Sequence, residues 1–223
     1  VVGALSLTAA SAATTVLTFE GLQDGESVLN YYNNGTGMLG SGPGGDFGVV
    51  FSPNALAYID LDDGGSGNFG GEPSPSTAII FLPDDDSKAF VNCAAGFTTG
   101  FSVYYSAISS PGVIKVFDGL NGTGNLLASL QLPVTPSSGD PDPTGAFSPL
   151  LPAGVSFQGI ARSVDFSGSI NLAAFDDLTL GTNITDVSAI PEPDSMLWLG
   201  GFLASGLLLR NRRQRPAGHA RQV

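Results

Sequence analysis

The feature that most constrains the fold is a two-residue period repeated in short runs, each cut off by Gly, Pro, Asn or Asp. FTTGFSVYY at 97–105 sets Phe97, Thr99, Phe101, Val103 and Tyr105 on one face, with Thr98, Gly100, Ser102 and Tyr104 on the other. This is the alternation of a half-buried strand, whose successive side chains point to opposite sides. GVIKVFDG and NLLASLQLP flank LNGTG and read as a hairpin. TTVLTFEGL, DFGVVFSP, ALAYID and STAIIFLP come before, and GIARSVDFSG and AAFDDLTLG come after. No long segment before residue 190 carries helical periodicity. With 31 Gly and 15 Pro to turn the chain and 14 Phe to fill a core, the fold is predicted to be all-β. About eight or nine strands should form a two-sheet antiparallel β-sandwich of jelly-roll type over residues 14–182. The segments 61–76 and 133–149 lack apolar periodicity and are long for loops, which marks them as functional or mobile.

Charge narrows the partners. Residues 14–189 carry three cations, Lys88, Lys115 and Arg162, against 18 carboxylates. Such a body repels nucleic acid and offers it no basic patch. Acidic polymers are repelled too, unless a divalent cation bridges the contact. Cys93 is the single cysteine, so no disulfide forms within the chain, and inside AFVNCAAGF it reads as a small buried apolar residue.

Both ends differ from the body. The opening VVGALSLTAASAATT, apolar and then rich in small residues, predicts that residues 1–13 are the remnant of a secretory signal peptide. Residues 183–189 read as a linker. Beyond it lie Pro191, Glu192 and Pro193, then 14 uncharged residues at 196–209, then RNRRQR. The apolar run includes Met196, Leu197, Trp198, Leu199, Leu203, Leu207, Leu208 and Leu209. As a helix it would span about 21 Å, short of a hydrocarbon core about 30 Å thick, so it predicts transient membrane contact. Arg210, Arg212, Arg213 and Arg215 would hold the C-terminus on the cytoplasmic side. Residues 216–223 read as a disordered tail.

In that order, Pro-Glu-Pro, a short apolar helix and an Arg-rich end at 190–215 resemble the PEP-CTERM sorting signal of exported bacterial proteins. The resemblance implies an exosortase-type processing enzyme as partner and delivery to the cell envelope, cell surface or extracellular matrix. TFEGL, KVFDGLNGTGNLLASL and ARSVDFSGSINLAAFDDLTLG resemble the exported β-sandwich domains that precede such tails, which implies fold and address more than activity.

The one His of the chain, His219, lies outside the body, which removes Ser-His-Asp and Cys-His nucleophile systems and His-based metal sites. Adjacent carboxylates at Asp62-Asp63, Asp84-Asp85-Asp86 and Asp176-Asp177 should point to opposite faces of a strand, so none is a catalytic pair by itself. Calcium suits flexible acidic loops better, because it takes six to eight oxygens from carboxylates, carbonyls and water. Glu20 in TFEGL with Asp176 and Asp177 in FDDLTLG resemble the structural calcium site that many jelly-roll carbohydrate-binding modules hold between first and last strands. Solvated carboxylates at strand ends are the competing reading. DLDDGG at 60–65 is shaped like part of a calcium loop but lacks the downstream Glu of an EF-hand. Tyr31 and Tyr32 in NYYNNGTG are candidates for a sugar platform, against a strand end with one buried Tyr. The functional expectation is a non-catalytic surface or matrix protein that binds extracellular polysaccharide. A structural matrix protein without a ligand and an acid-pair glycan hydrolase are the alternatives.

Overall fold

The computed structural model describes residues 14–85, 88–137 and 145–183. The signal remnant, the linker beyond 183, the sorting motif, its apolar helix and its arginines lie outside them.

Strands β1 (Thr15–Leu17), β2 (Glu26–Ser27), β4 (Ala55–Ile59), β5 (Thr77–Phe81), β7 (Gly100–Ser106), β10 (Leu151–Ser156) and β12 (Ala174–Leu180) form one sheet. Its order is β10-β7-β12-β5-β4-β2, with β1 also paired to β12. Strands β3 (Val49–Phe51), β6 (Phe90–Phe97), β8 (Gly112–Phe117), β9 (Leu126–Leu132) and β11 (Ala161–Gly168) form the other, in the order β3-β6-β11-β8-β9. Every strand pair is antiparallel, and from β6 onward the chain crosses repeatedly between sheets, as in a jelly roll. The expected sandwich is therefore what forms, with 12 described strands instead of the smaller number expected. The strands not read are β2, only two residues long, and β6 and β10, where FVNCAAGF and LPAGVS interleave Gly, Ala and polar residues and show no clean apolar alternation.

The hairpin around LNGTG forms as read, with Val113 opposite Gln131 and Val116 opposite Ala128. FTTGFSVYY, in contrast, is not one strand. Phe97 ends β6 in the smaller sheet and Gly100 begins β7 in the larger, with Thr99 between them at φ 74°. The left-handed turn reverses the chain, yet Phe97, Phe101, Val103 and Tyr105 all remain buried. Burial kept the apolar set together while the backbone changed sheets.

One ring joins the two layers. Phe166, from β11 of the smaller sheet, stacks on Phe81 of β5 at 4.6 Å between centroids. It also meets Phe175 of β12 at 5.1 Å and Phe101 of β7 at 6.0 Å, both edge to face. A second aromatic group, Phe19, Tyr31, Tyr32 and Phe51, closes the end of the sandwich where the chain leaves β1.

The long loops are packed where described. Phe69 is buried and forms a parallel bridge with Phe147. Asn68 ties the two segments, accepting the Ala146 N–H at 2.8 Å through Oδ1 and the Phe147 N–H at 3.0 Å through its carbonyl. Together with Ala78, Leu150 and Ala174, and with Tyr58 and Tyr104 half-buried at the margin, they make a second, smaller core on the larger sheet.

Glu26 organises the segment after β2. Its side chain is fully buried, and it accepts N–H bonds from Gln23 (2.8 Å), Leu39 (2.8 Å) and Ser41 (3.1 Å). Burial pushes this carboxyl up, but the bonds from Ser41, Gln23 and Leu39 outweigh it and hold the group below its ordinary value of 4.5. A depressed carboxylate stabilises the fold above its unfolded-state value, and that contribution disappears as pH falls through the folded value. Glu26→Gln is expected to cost about 1.5–3 kcal/mol at neutral pH. The gap to the wild type, measured by urea unfolding, should shrink as pH drops below about 4.5. A gap unchanged down to about pH 3 would show that the charge of Glu26 is not what holds the segment.

Candidate functional site

The first and last strands meet at a seam, with Thr15 opposite Leu180, Val16 opposite Thr179 and Leu17 opposite Leu178. Just past it the chain turns sharply through Phe19 at φ 65° and Gly21 at φ 90°, and Glu20 lies between them. Glu20 Oε1 accepts the backbone N–H of Ser76 (3.1 Å) and Thr77 (2.9 Å), and Oε2 takes their hydroxyls at 3.3 and 3.4 Å. The start of the chain is thereby fastened to the loop entering β5.

On β12 the regular alternation fails. The pairing with β7 slips between Asp176 and Thr179, and Asp177 adopts φ 47°, the left-handed conformation of a bulge. Both carboxylates consequently act on Ser74 and on each other. This corrects the expectation that the pair points to opposite faces, which holds only for an unbroken strand. Asp176 is fully buried, and Ser74 Oγ lies 2.8 and 2.9 Å from its two oxygens. Asp176 also accepts the Ser74 N–H at 3.1 Å and the Asp177 N–H at 2.7 Å. Its oxygens are thus occupied by protein donors, and it positions the seam.

Asp177 differs. It is 8% exposed, and its buried Oδ1 has no hydrogen-bond partner. Burial raises its carboxyl to about 6, with the charge of Glu20 adding to the rise and a bond from Ser74 opposing it. Asp176 is held well above the carboxylate range, by burial first and then by the charge of Asp177, against the bonds from Ser74 and the Asp177 amide. No body cation relieves this crowding. Lys115 and Arg162 belong to β8 and β11 of the other sheet, and Lys88 precedes β6.

Among the described residues, no three His, Cys, Asp or Glu side chains are grouped closely enough to hold a metal ion by themselves. An ion here would need carbonyl or water oxygens beside the carboxylates, a mixture typical of calcium. The orphaned Asp177 oxygen fits such an ion, because a buried acceptor without a donor is costly and a cation satisfies it.

Tyr31 and Tyr32 are 5% and 3% exposed and cannot offer a platform to a sugar. The Tyr31 hydroxyl donates to the Glu20 carbonyl at 2.7 Å, the Tyr32 hydroxyl accepts the Phe19 N–H at 2.6 Å, and burial drives the Tyr32 hydroxyl far above its ordinary pKa. They hold the turn that carries Glu20. DLDDGG closes as a tight turn, with the Asp60 carbonyl accepting from Asp63 (3.1 Å) and Gly65 (2.9 Å). Asp24 caps that turn through Ile59 and Ser66. Cys93 is buried, and burial raises its thiol against bonds from Gly96 and Ala95.

Comparison with known protein families and with curated proteins finds no match. Among solved structures, similarity extends to CsCBM6-3 from Clostridium stercorarium in complex with cellobiose, at 16% identity and TM-score 0.36, covering 59% of this chain and 84% of that one. A β-1,3-glucan binding CBM6 from Bacillus halodurans aligns at 19% identity and TM-score 0.36, covering 59% of this chain and 88% of that one. The catalytic domain of a GH87 α-1,3-glucanase in complex with tetrasaccharides aligns at 14% identity and TM-score 0.36, covering 82% of this chain and 31% of that one. At such scores the likeness says nothing of ligand or activity.

Proposed function

We propose that this chain is a non-catalytic, exported module of the cell surface or extracellular matrix that contacts polysaccharide and closes its sandwich around calcium. The observation that carries the proposal is the seam, where Asp177 presents a buried, unpartnered oxygen beside the charge of Glu20. In this reading Asp177 ligates the ion and the nearby charge of Glu20 attracts it, while Asp176 and Ser74 fix the bulge that aims Asp177. Calcium would supply two positive charges to a cluster that no lysine or arginine among the described residues neutralises. Extracellular modules bind calcium at about 10⁻⁴–10⁻³ M, so such a clamp forms after export. The order of Pro191, Glu192 and Pro193, the apolar run and the arginines supports sorting through an exosortase-type enzyme with passing membrane contact. The non-catalytic reading is supported by the burial of Asp176 and Asp177 behind Ser74, where a hydrolase needs its acid pair open to substrate. The acidic body favours neutral over acidic glycans.

Isothermal titration of the purified chain with calcium tests the clamp. The expected result is about one ion per chain at sub-millimolar to millimolar affinity, lost in Asp177→Asn and weakened in Glu20→Gln. Absence of binding at about 10 mM calcium would overturn the proposal, since that exceeds the range of known extracellular sites.

A further inference from the structure

The outer face of the smaller sheet carries a feature that the seam does not explain. The β8–β9 loop folds back over this face instead of projecting from it. Ser163 Oγ donates to the Gly119 carbonyl at 2.6 Å and accepts the Gly122 N–H at 3.0 Å. Asp118 closes the loop on itself, accepting the Asn125 backbone N–H at 2.7 Å and its side-chain amide at 2.8 Å. Arg162 Nη1 adds a bond to the Asp118 carbonyl at 3.1 Å. Gly122, at φ 66°, lies so close to the Phe90 ring that a Cβ there would stand 2.6 Å from Cε1. The loop is thus a built wall against Phe90.

Its apex residue faces a groove. Asn121 sits at φ 55°, donates its N–H to Asn92 Oδ1 at 2.8 Å and accepts from Asn92 Nδ2 at 2.8 Å. These two bonds assign the amide orientation and leave Asn121 Nδ2 as a donor with no partner among the described residues. The groove has a volume of about 450 Å³ and is lined by Pro53, Asp84, Lys88, Phe90, Asn92 and Asn121 among others. A half-buried aromatic ring, amide groups and one charge of each sign surround a space within the range of small-ligand sites. No comparable mixture lines the Tyr58–Phe69–Phe147 pocket on the other sheet, where the residues are largely apolar.

We infer that this groove binds a neutral sugar unit of an extracellular polysaccharide, with the ring on Phe90 and its hydroxyls on Asn121, Asn92 and Asp84. The inference deepens the polysaccharide-binding reading above and rests on it. A sugar ring presents C–H groups on its faces and hydroxyls around its edge. The exposed part of Phe90 suits the first, and amide and carboxylate groups at the rim suit the second. The opposed charges of Asp84 and Lys88 leave no excess sign to select a charged sugar, and the acidic body opposes an anionic one. The hydrogen bonds that hold Asn121 in place are formed before any ligand arrives, which lowers the ordering cost of binding.

The test is affinity electrophoresis of the full chain through native gels containing laminarin, hydroxyethylcellulose, dextran or galactomannan, with alginate as the acidic comparison. Phe90→Leu keeps an apolar side chain on the sheet but deletes the ring. Asn121→Asp keeps the acceptor for Asn92 and tolerates the left-handed backbone but deletes the Nδ2 donor. Tyr58→Ala, on the opposite sheet, is the control. We expect retardation of the wild type in at least one neutral gel, and a loss of affinity of about tenfold or more in both groove variants, which melt cooperatively. Tyr58→Ala should migrate like the wild type. Wild-type retardation unaltered in both groove variants would overturn the groove while leaving polysaccharide binding intact. Retardation in alginate alone would overturn the neutral-ligand assignment. Free migration of the wild type in every gel would overturn polysaccharide binding and the groove together.

Discussion

Phe166→Ala is expected to destabilise the protein by about 3–5 kcal/mol, the usual cost of emptying a buried aromatic site. Phe166 is fully buried and is the side chain of β11 that meets Phe81, Phe101 and Phe175 from three strands of the opposite sheet. Deleting it leaves those rings facing a void that the sheets cannot close without moving as layers. For a domain of this size the melting temperature should fall by roughly 6–20 °C. Domains have only about 5–15 kcal/mol of net stability, so the variant sits near the edge of folding. Leu126→Ala, at an exposed position of β9, should change stability by no more than about 0.5 kcal/mol. Thermal unfolding followed by near-ultraviolet circular dichroism measures both. A drop under about 2 °C in a cooperative Phe166→Ala transition would show that the two sheets are not joined through this ring.

Calcium should raise the melting temperature of the wild type by roughly 5–10 °C at about a hundredfold excess over its dissociation constant. That corresponds to about 2.7 kcal/mol of linkage. Asp177→Asn should cross the wild type. Without a divalent ion it should melt higher, because it removes a buried charge that Glu20 opposes and no donor meets at Oδ1. With calcium it should gain nothing, because the ligand is gone. Magnesium should stabilise the wild type less, since it demands stricter geometry and gives up water reluctantly. Parallel responses of wild type and Asp177→Asn to calcium would remove Asp177 from the site. A variant less stable than the wild type under both conditions would mean that the carboxylate serves the fold rather than an ion.

The alternation of 100–106, 112–117 and 126–132, the hairpin at LNGTG and the burial of Cys93 were legible in the chain alone. Each depends on neighbours a few residues apart, and the pleat converts that spacing directly into faces. Glu20, Asp176 and Asp177 were grouped only through their resemblance to the calcium site of jelly-roll modules, without the division of labour among them. That division rests on a bulge, and a bulge is decided by how β12 must register with β7 and β1 at once. Tyr31 and Tyr32 show the opposite failure. Their Asn and Gly neighbours suggest an exposed loop, yet Phe19, Glu20 and Phe51 arrive from elsewhere in the chain to bury them.

The Phe90–Asn121 groove lay beyond sequence reasoning for the same cause. Its two walls are 31 residues apart, and they meet only because the β8–β9 loop folds onto Ser163 and Asn92. The sequence by itself determined the class of fold, its acidic character and most of its strands, because period, charge and turn chemistry act locally. Tertiary structure alone decided that one oxygen of Asp177 is left without a donor and that the Phe90 ring is left partly open, because both depend on what the distant chain brings to cover them.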